Sequence, residues 1–184
     1  IQSLRDLRGR TVAAVNTDVF GGYLMQAHEL AELGLRMRQD VQLQAVGLPM
    51  DGVVDAVLSG RADAGFVRGG FLESLARQGK LDMARLRILN RQNLPGYPVA
   101  VSTRLYPEWP FAAMPEVEEA LMRDVTAALF RIQDDAPVAR GLGIRGFSVP
   151  ADYQPLRNLM RALRAPPYDE APRFTLRDVW ERYR

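Results

Sequence analysis

The first half of the chain alternates short apolar runs with segments whose apolar residues recur every three or four positions. The apolar runs predict β-strands at residues 11–15, 41–46, 62–67 and 86–89. The periodic segments predict helices at residues 23–33, 53–58 and 70–79. Strands that alternate with helices are typical of a mainly parallel sheet with right-handed crossovers. The predicted fold class is therefore α/β, with parallel sheets covered by helices.

The pattern changes at residues 93–98, where two prolines and a glycine predict a lobe boundary or hinge. Beyond it, the pattern predicts a strand at 99–102, a helix from Pro115 and a shorter helix from Asp152. The helix from Pro115 has an apolar stripe at i,i+4 spacing, so we expect it to pack on a substantial surface; the stripe consists of Val117, Leu121, Val125, Leu129 and Ile132.

Residues 175–184 combine a capping-box pattern with an apolar and aromatic stripe that arginines flank. Trp180 lies in that stripe. Two interpretations stay open: a docking helix that leads into a membrane span, or a helix that packs on its own lobe.

Arg68 follows directly after the apolar run 62–67, and Gly60 before that run fits a left-handed helix end. Ligands of open α/β sheets gather at the carboxyl ends of the strands, so Arg68 is the first candidate for a ligand contact. The alternative is a surface arginine that pairs with Glu73 or Asp63.

Composition narrows the classes of protein. The 184 residues are 47% hydrophobic, enough for one packed domain or two small lobes. No apolar run reaches the roughly 20 residues of a membrane span and no signal-peptide pattern opens the chain, so we expect any anchor or export signal to lie outside this piece. The chain has no cysteine, which excludes disulfides and thiolate chemistry and fits an exported protein.

The net charge is +2, from 24 basic and 22 acidic residues, and Lys80 is the only lysine. The arginines alternate with acidic residues, which is typical of solvated helix faces. Nucleic-acid binders cluster basic residues instead, so we expect no nucleic-acid partner.

Four motifs resemble, in the same order, the second lobe of type II periplasmic binding proteins of the phosphonate-binding branch. They lie at residues 6–13, 21–24, 50–57 and 60–65. The sensor region of tetrathionate-sensor-like histidine kinases is more similar still, through residues 65–68, 72–73, 97–98, 102–110 and 150–153.

The resemblance implies a type II periplasmic-binding-protein-like fold with two lobes that close on a small anion in the cleft between them. Residues 1–95 would form lobe two, and residues 96–184 the C-terminal part of lobe one plus a juxtamembrane-type helix. Family members begin with a further stretch, so one lobe is expected to be incomplete.

The resemblance also implies a function. The chain would be the periplasmic sensor domain of an inner-membrane histidine kinase, with the kinase module in the same polypeptide and a homodimer as a possible assembly. A free solute-binding component of an ABC transporter for phosphonate, sulfonate or related anions stays open.

The resemblance places the anion at the start of the first helix of lobe two. Phosphonate binders have a hydroxyl-rich turn there, where this chain has residues 19–22, and a histidine where this chain has Met50. Both departures argue against phosphonate and leave open a softer anion that needs fewer hydrogen bonds, such as a sulfur oxyanion; an ordinary helix-entry turn is the alternative. The predicted ligand-binding residues are Thr17, Phe20, Gly21, Gly22, Tyr23, Met50, Arg68 and Tyr97, with aromatic packing also possible from Trp109.

Catalytic interpretations find little support. His28 is the only histidine, and it is predicted to lie in a helix with no carboxylate or cysteine at metal-ligand spacing. The chain has no phosphate-binding or nucleophile motif, and helix stabilisation accounts for Asp51 and Asp55. We expect no catalytic residue, metal or cofactor, although an enzyme acting on a phosphorylated or sulfonated substrate stays open as a third hypothesis.

Overall fold

The computed structural model describes residues 1–107 and 110–170. Its sheet has three strands, β1 (Thr11–Ala14), β2 (Gln42–Ala45) and β3 (Ala64–Gly65), in the order β2-β1-β3. Both pairings are parallel, with Thr11 opposite Gln42 and Val12 opposite Ala64. The parallel α/β arrangement and the first three predicted strands are confirmed, with shorter bounds than the sequence indicated.

The helices of the first half alternate with these strands. A π-helical turn (Phe20–Leu24) continues into α1 (Met25–Glu32), and α2 (Asp51–Leu58) and α3 (Phe71–Arg77) follow β2 and β3. Short 3₁₀ turns occur at Leu4–Leu7 and Met83–Arg85. Gly60 has φ +74° directly after the end of α2, which is the left-handed helix end that the sequence predicted.

Helices cover β1 on both faces, because successive side chains of a strand point in opposite directions. Val12 and Ala14 join one cluster with the α1 residues Ala27 and Leu30. Ala13 and Val15 join another with the α2 residues Val53 and Ala56. This layering explains why the strand is apolar from Val12 onward, and it places α1 and α2 on opposite faces of the same sheet.

The predicted strands at 86–89 and 99–102 are wrong, because both segments are irregular in the structure. Leu86 packs instead on a cluster that includes Leu75 and Leu81. The backbone N–H of Ala100 donates to the Glu73 carboxylate at 2.9 Å, a side chain rather than a neighbouring strand. These apolar residues are partly buried without the ladder partner that a strand requires.

The structure groups the residues into two compact units. One contains Ile1–Leu105 and the described residues from Pro155 onward, and the other contains Tyr106–Gln154. The proposed lobe boundary near residue 95 stays a prediction. The predicted helix at 175–184, with Trp180, lies outside the described residues. Within 1–107 and 110–170, no helix has both the length and the hydropathy needed to cross a bilayer.

Three helices follow in the second half: α4 (Glu119–Phe130), α5 (Pro137–Leu142) and α6 (Gln154–Leu163). The helix expected from Pro115 begins at Glu119. The expectation that its stripe packs on a substantial surface is wrong. Within the part of the chain described here, no residue of α4 is buried, and Leu121 is 55% exposed. An apolar stripe marks which face of a helix could be covered but supplies no partner. The helix predicted from Asp152 is confirmed as α6, whose Leu159 is fully buried.

The contacts of Asp40 in the turn before β2 predict how the stability of the protein changes with pH. The Asp40 carboxylate accepts the Arg36 N–H at 2.8 Å and pairs with Arg8 at 2.5 Å. The backbone hydrogen bond from Arg36 contributes most, and the arginine charges add, to hold the pKa of Asp40 below its ordinary value. The stability that this carboxylate contributes is therefore present above its unfolded pKa and is lost as the pH falls through its lower folded pKa.

We expect Asp40→Asn to reduce that acid sensitivity. Between about pH 6 and about pH 3, the melting temperature of the variant should fall less than that of the unchanged protein. Thermal melts across that range, with Asp124→Asn at an exposed position of α4 as the control, measure the difference. Equal pH slopes for Asp40→Asn and the unchanged protein would contradict the assignment.

Candidate functional site

The connections that follow β1, β2 and β3 lie at one edge of the sheet, because the three strands are parallel. The connection after β1 contains Thr17 and leads into the π-helical turn. The connection after β2 leads through Met50 into α2, and the one after β3 contains Arg68 and leads into α3. The sheet therefore delivers three of the predicted site residues to its carboxyl edge.

Arg68 lies against the glycine pair of residues 21–22. A Cβ atom built on Gly21 would be 3.5 Å from the Cγ atom of Arg68, an ordinary van der Waals distance. Arg68 is exposed as a residue, so its aliphatic stem passes beside Gly21 while the side chain reaches solvent. Two of the predicted ligand-binding residues, Arg68 and Gly21, are therefore neighbours in the structure.

The carboxylates proposed as alternative partners of Arg68 have other contacts. Asp63 accepts the Thr11 N–H at 2.9 Å and pairs with Arg10 at 3.5 Å. Glu73 accepts the Ala100 N–H at 2.9 Å. Both groups thus contribute to holding backbone segments in place.

The helix that begins at the glycine pair presents backbone N–H groups at its start. The first backbone bonds run from Leu24 N–H to the Val19 carbonyl at 3.2 Å and from Met25 N–H to the Phe20 carbonyl. The N–H groups of residues 21–23 precede these bonds, as do the first N–H groups of any helix. They lie where the helix dipole is positive, which favours an anion.

Gly22 lies where a side chain would not fit without movement. A Cβ atom there would be 3.1 Å from Val19 Cγ1 and 3.5 Å from Met50 Cε. The glycine therefore lets the loop after β1 approach the start of α2. Met50 is close to Arg68 as well, since the Arg68 N–H donates to the Met50 sulfur at 3.5 Å.

Gln26 belongs to this site and was missed in the sequence. Its side-chain nitrogen Nε2 donates to the carbonyl of Gly21 at 2.9 Å and to the carbonyl of Val67 at 3.3 Å. It therefore connects the helix start to the end of β3, next to Arg68. The sequence contained one signal that could have identified Gln26: it is a polar residue between apolar neighbours, one helical turn after the glycine pair.

The Tyr23 ring anchors the helix start in the core. It is 8% exposed, and its centroid lies 6.2 Å from that of Phe66. Burial raises the pKa of its hydroxyl, so the ring stays neutral at ordinary pH. The contribution of Tyr23 to ligand binding would therefore come from its backbone N–H.

For the remaining predicted site residues, the structure gives a location in the fold. Thr17 and Phe20 are partly buried in the connection after β1 and at the start of the π-helical turn. Tyr97 is 43% exposed in a separate turn, where its N–H donates to the Leu94 carbonyl. Their roles in ligand binding stay predictions, and Trp109 lies outside the described residues.

His28 is buried on α1, and the statement that no carboxylate lies at metal-ligand spacing was wrong. The Nε2 atom of His28 is 4.0 Å from a Glu32 carboxylate oxygen, one helical turn away. Glu32 also pairs with Arg104, whose hydrogen bond is the main cause of the lowered pKa of Glu32. Among the residues that the structure describes, no three histidine, cysteine or acidic side chains are grouped to hold a metal ion.

Comparison with known proteins shows the family of the chain. Residues 1–154, which include the three strands, the glycine pair and Arg68, match the family described as "ABC transporter, phosphonate, periplasmic substrate-binding protein". The chain is also 34% identical over 167 residues to the tetrathionate sensor histidine kinase TtrS of Salmonella typhimurium, an alignment that covers 91% of this chain and 27% of that relative. The chain thus spans about a quarter of the relative's length. Both matches confirm the resemblance found in the motifs. The chain belongs to the phosphonate-binding family of periplasmic substrate-binding proteins.

Proposed function

We propose that this chain is the extracytoplasmic ligand-sensing domain of a membrane-anchored sensor histidine kinase, and that it binds a small anion at the carboxyl edge of its sheet. The observation that carries the proposal is the position of the Arg68 stem next to Gly21, at the start of a helix whose first N–H groups precede its backbone bonds. A guanidinium and helix-start N–H groups together favour negative charge.

The donors at this edge favour a sulfur oxyanion. Residues 19–22 offer backbone N–H groups without the hydroxyl side chains that phosphonate binders use, and Met50 adds a polarisable thioether beside them. Because a related sensor kinase is named for tetrathionate, we propose that dianion as the first ligand to test.

The binding free energy that such a site could supply is in the range needed for sensing. Micromolar binding requires about 8 kcal/mol, and a hydrogen bond to a charged group contributes roughly 1.5–3 kcal/mol net. Arg68 and the three N–H groups of residues 21–23 would supply roughly 6–12 kcal/mol before the cost of association, so the proposal also includes Thr17 and aromatic packing from Phe20 or Tyr97. Fewer contacts would leave the affinity too weak.

In this proposal, the signal arises because the ligand binds one conformation of the domain more tightly than another. A ligand that contacts both lobes binds the closed form more tightly and shifts the population toward it. The closed form would act on a kinase module elsewhere in the same polypeptide, so phosphoryl transfer would not occur in this domain. Its place would be the periplasmic side of the inner membrane.

A second candidate function is that of a free solute-binding component of an ABC transporter. The family description that matches residues 1–154 supports it. The two candidates make different predictions for the reading frame beyond Arg184. A sensor requires a membrane span followed by a kinase module, and a transport component requires neither.

Thermal melts of the 184-residue chain test the binding function. The series contains tetrathionate, thiosulfate, sulfate, methylphosphonate and acetate, each at matched ionic strength. Saturable stabilisation by tetrathionate is expected, about 2.7 kcal/mol at 100-fold excess over the dissociation constant. A larger response to methylphosphonate would favour the transport candidate, and no saturable response to any of the five would contradict anion sensing.

A further inference from the structure

The peptide group between Val67 and Arg68 is held at both of its polar atoms by side chains from the other two strand connections. Its carbonyl oxygen accepts from Gln26 Nε2 at 3.3 Å. Its N–H donates to the Met50 sulfur at 3.5 Å. Gln26 belongs to α1, after β1, and Met50 precedes α2, after β2. The peptide that carries Arg68 is therefore fixed from two sides.

Gln26 holds the glycine pair with the same nitrogen. Its Nε2 group has two N–H bonds, and the Gly21 carbonyl accepts the shorter contact at 2.9 Å. Both partners are carbonyl oxygens, so only the amide nitrogen can face them, which assigns the orientation of the side chain. The Gln26 oxygen is buried and accepts no hydrogen bond among the described residues. Gln26 thus connects the helix start and the Arg68 peptide through a single group.

We propose that Gln26 is a positioning residue for the anion site, supported by Met50, and that it sets the direction in which Arg68 and the Gly21 N–H point. The inference rests on the proposed function. Rotation of the Val67–Arg68 peptide would turn the Arg68 Cα–Cβ bond and move the side-chain stem away from Gly21. Because both polar atoms of the peptide are held, the direction of the Arg68 side chain is fixed. In the proposed site, the guanidinium and the helix-start N–H groups can then bind the same ligand.

This role adds to the one that the sequence interpretation gave Met50. The sequence placed Met50 in the ligand contact, where other members have a histidine. Its sulfur also accepts the N–H of Arg68, and its methyl group lies near Gly22. A thioether is a weak acceptor, so we expect Met50 to contribute less to positioning than Gln26 does.

Three substitutions separate positioning from simple stability. Gln26→Met keeps the length of the side chain and removes both N–H bonds. Gln26→Glu keeps the shape but puts a carboxylate oxygen against two carbonyl oxygens. Met50→Leu keeps the approximate volume and removes the sulfur acceptor. Gln78→Met is the matched control, because Gln78 is exposed after α3 and its side chain contacts Ser74.

The measurement is calorimetric titration of each purified 184-residue variant with tetrathionate, next to ligand-free thermal melts and amide hydrogen exchange at Arg68. We expect Gln26→Met to weaken tetrathionate binding by at least ~10-fold and Gln26→Glu to weaken it further, while Gln78→Met stays within about 2-fold of the unchanged protein. Met50→Leu should weaken binding by roughly 3-fold and speed exchange at the Arg68 N–H, which reports on the peptide without any ligand.

The outcomes are distinguishable. If the unchanged protein does not bind tetrathionate or any other anion of the series, the proposed function fails. If it binds and Gln26→Met binds equally well, the positioning role alone is overturned. If Gln26→Met loses its cooperative melt, the Met50→Leu variant decides. Unchanged tetrathionate affinity together with an unchanged exchange rate at the Arg68 N–H would overturn the inference. Weaker affinity together with faster exchange would support it.

Discussion

Arg68→Ala should abolish the stabilisation of the protein by tetrathionate while changing the ligand-free stability by less than about 1 kcal/mol. The side chain is exposed, so its removal leaves no large cavity. It is also the cation beside Gly21, and loss of its charge-assisted hydrogen bonds should cost on the order of 3 kcal/mol of binding. That loss corresponds to about a 100-fold weaker affinity, measured by calorimetric titration.

Arg61→Ala is the matched control for Arg68→Ala. Arg61 precedes β3 and Arg68 follows it, so the two substitutions remove the same charge at opposite ends of one strand. Arg61 donates to the Ser59 hydroxyl at 3.0 Å, and we expect its loss to leave the tetrathionate affinity within about 2-fold. Equal losses in the two variants would mean that net charge alone drives binding, and an unchanged response in Arg68→Ala would remove Arg68 from the site.

Gly65→Ala should destabilise the ligand-free protein by roughly 1–3 kcal/mol, because it overfills the contact between β3 and α2. A Cβ atom at Gly65 would be 2.6 Å from Val53 Cγ1 and 3.1 Å from Val57 Cγ2. Val53 is 1% exposed, and a valine has little freedom to move its methyl groups aside. The helix must therefore shift away from the strand, which would also move Met50 relative to Arg68.

Chemical denaturation of Gly65→Ala and two further variants tests this expectation. Gly52→Ala lies in α2 itself, where a new methyl would be 3.7 Å from Val46, so that variant should be neutral or slightly more stable. Adding Val53→Ala to Gly65→Ala removes the methyl group at 2.6 Å, the closer of the two contacts, so the double variant should lose less stability than the sum of the single losses. Strict additivity, or a neutral Gly65→Ala, would contradict the close packing.

The sequence predicted the first half of the fold well because its signals there are local. Gly60 ends α2 with the left-handed conformation that its position indicated. The apolar residues 12–15 indicated a buried strand, and the two clusters around Val12 and Ala13 confirm it. Each of these features depends on neighbours within a few residues or on a simple alternation, which a single sequence contains.

The failures share a different cause, since they depend on what each segment meets in space. Residues 86–89 and 99–102 have apolar residues suited to strands, but a strand also needs a backbone partner. Val99 and Val101 lie against Gly70 and Gly69, and the hydrogen bond from the Gln92 N–H to the Val101 carbonyl is not continued into a ladder. In the same way, the stripe of α4 was read correctly as a helix face, while its exposure could not be inferred from periodicity.

The candidate site was predicted in part. The topology brings Arg68, Gly21 and Met50 together because parallel strands place their connections at one edge, a rule that needs only the order of elements. Gln26 was missed, because its importance depends on two carbonyl groups, 5 and 41 residues away, that it meets only in the folded chain. Backbone acceptors of this kind have no signature in the sequence.

The most direct test of the account is a titration of the ¹⁵N-labelled 184-residue chain with tetrathionate, followed through the backbone N–H signals of Gly21 and Gly22 and the guanidinium Nε–H signal of Arg68. We predict that all three signals shift saturably with one dissociation constant, equal to the value from calorimetry. Saturable binding heat with these three signals unmoved, and shifts confined to other parts of the chain, would contradict an anion site at this edge of the sheet.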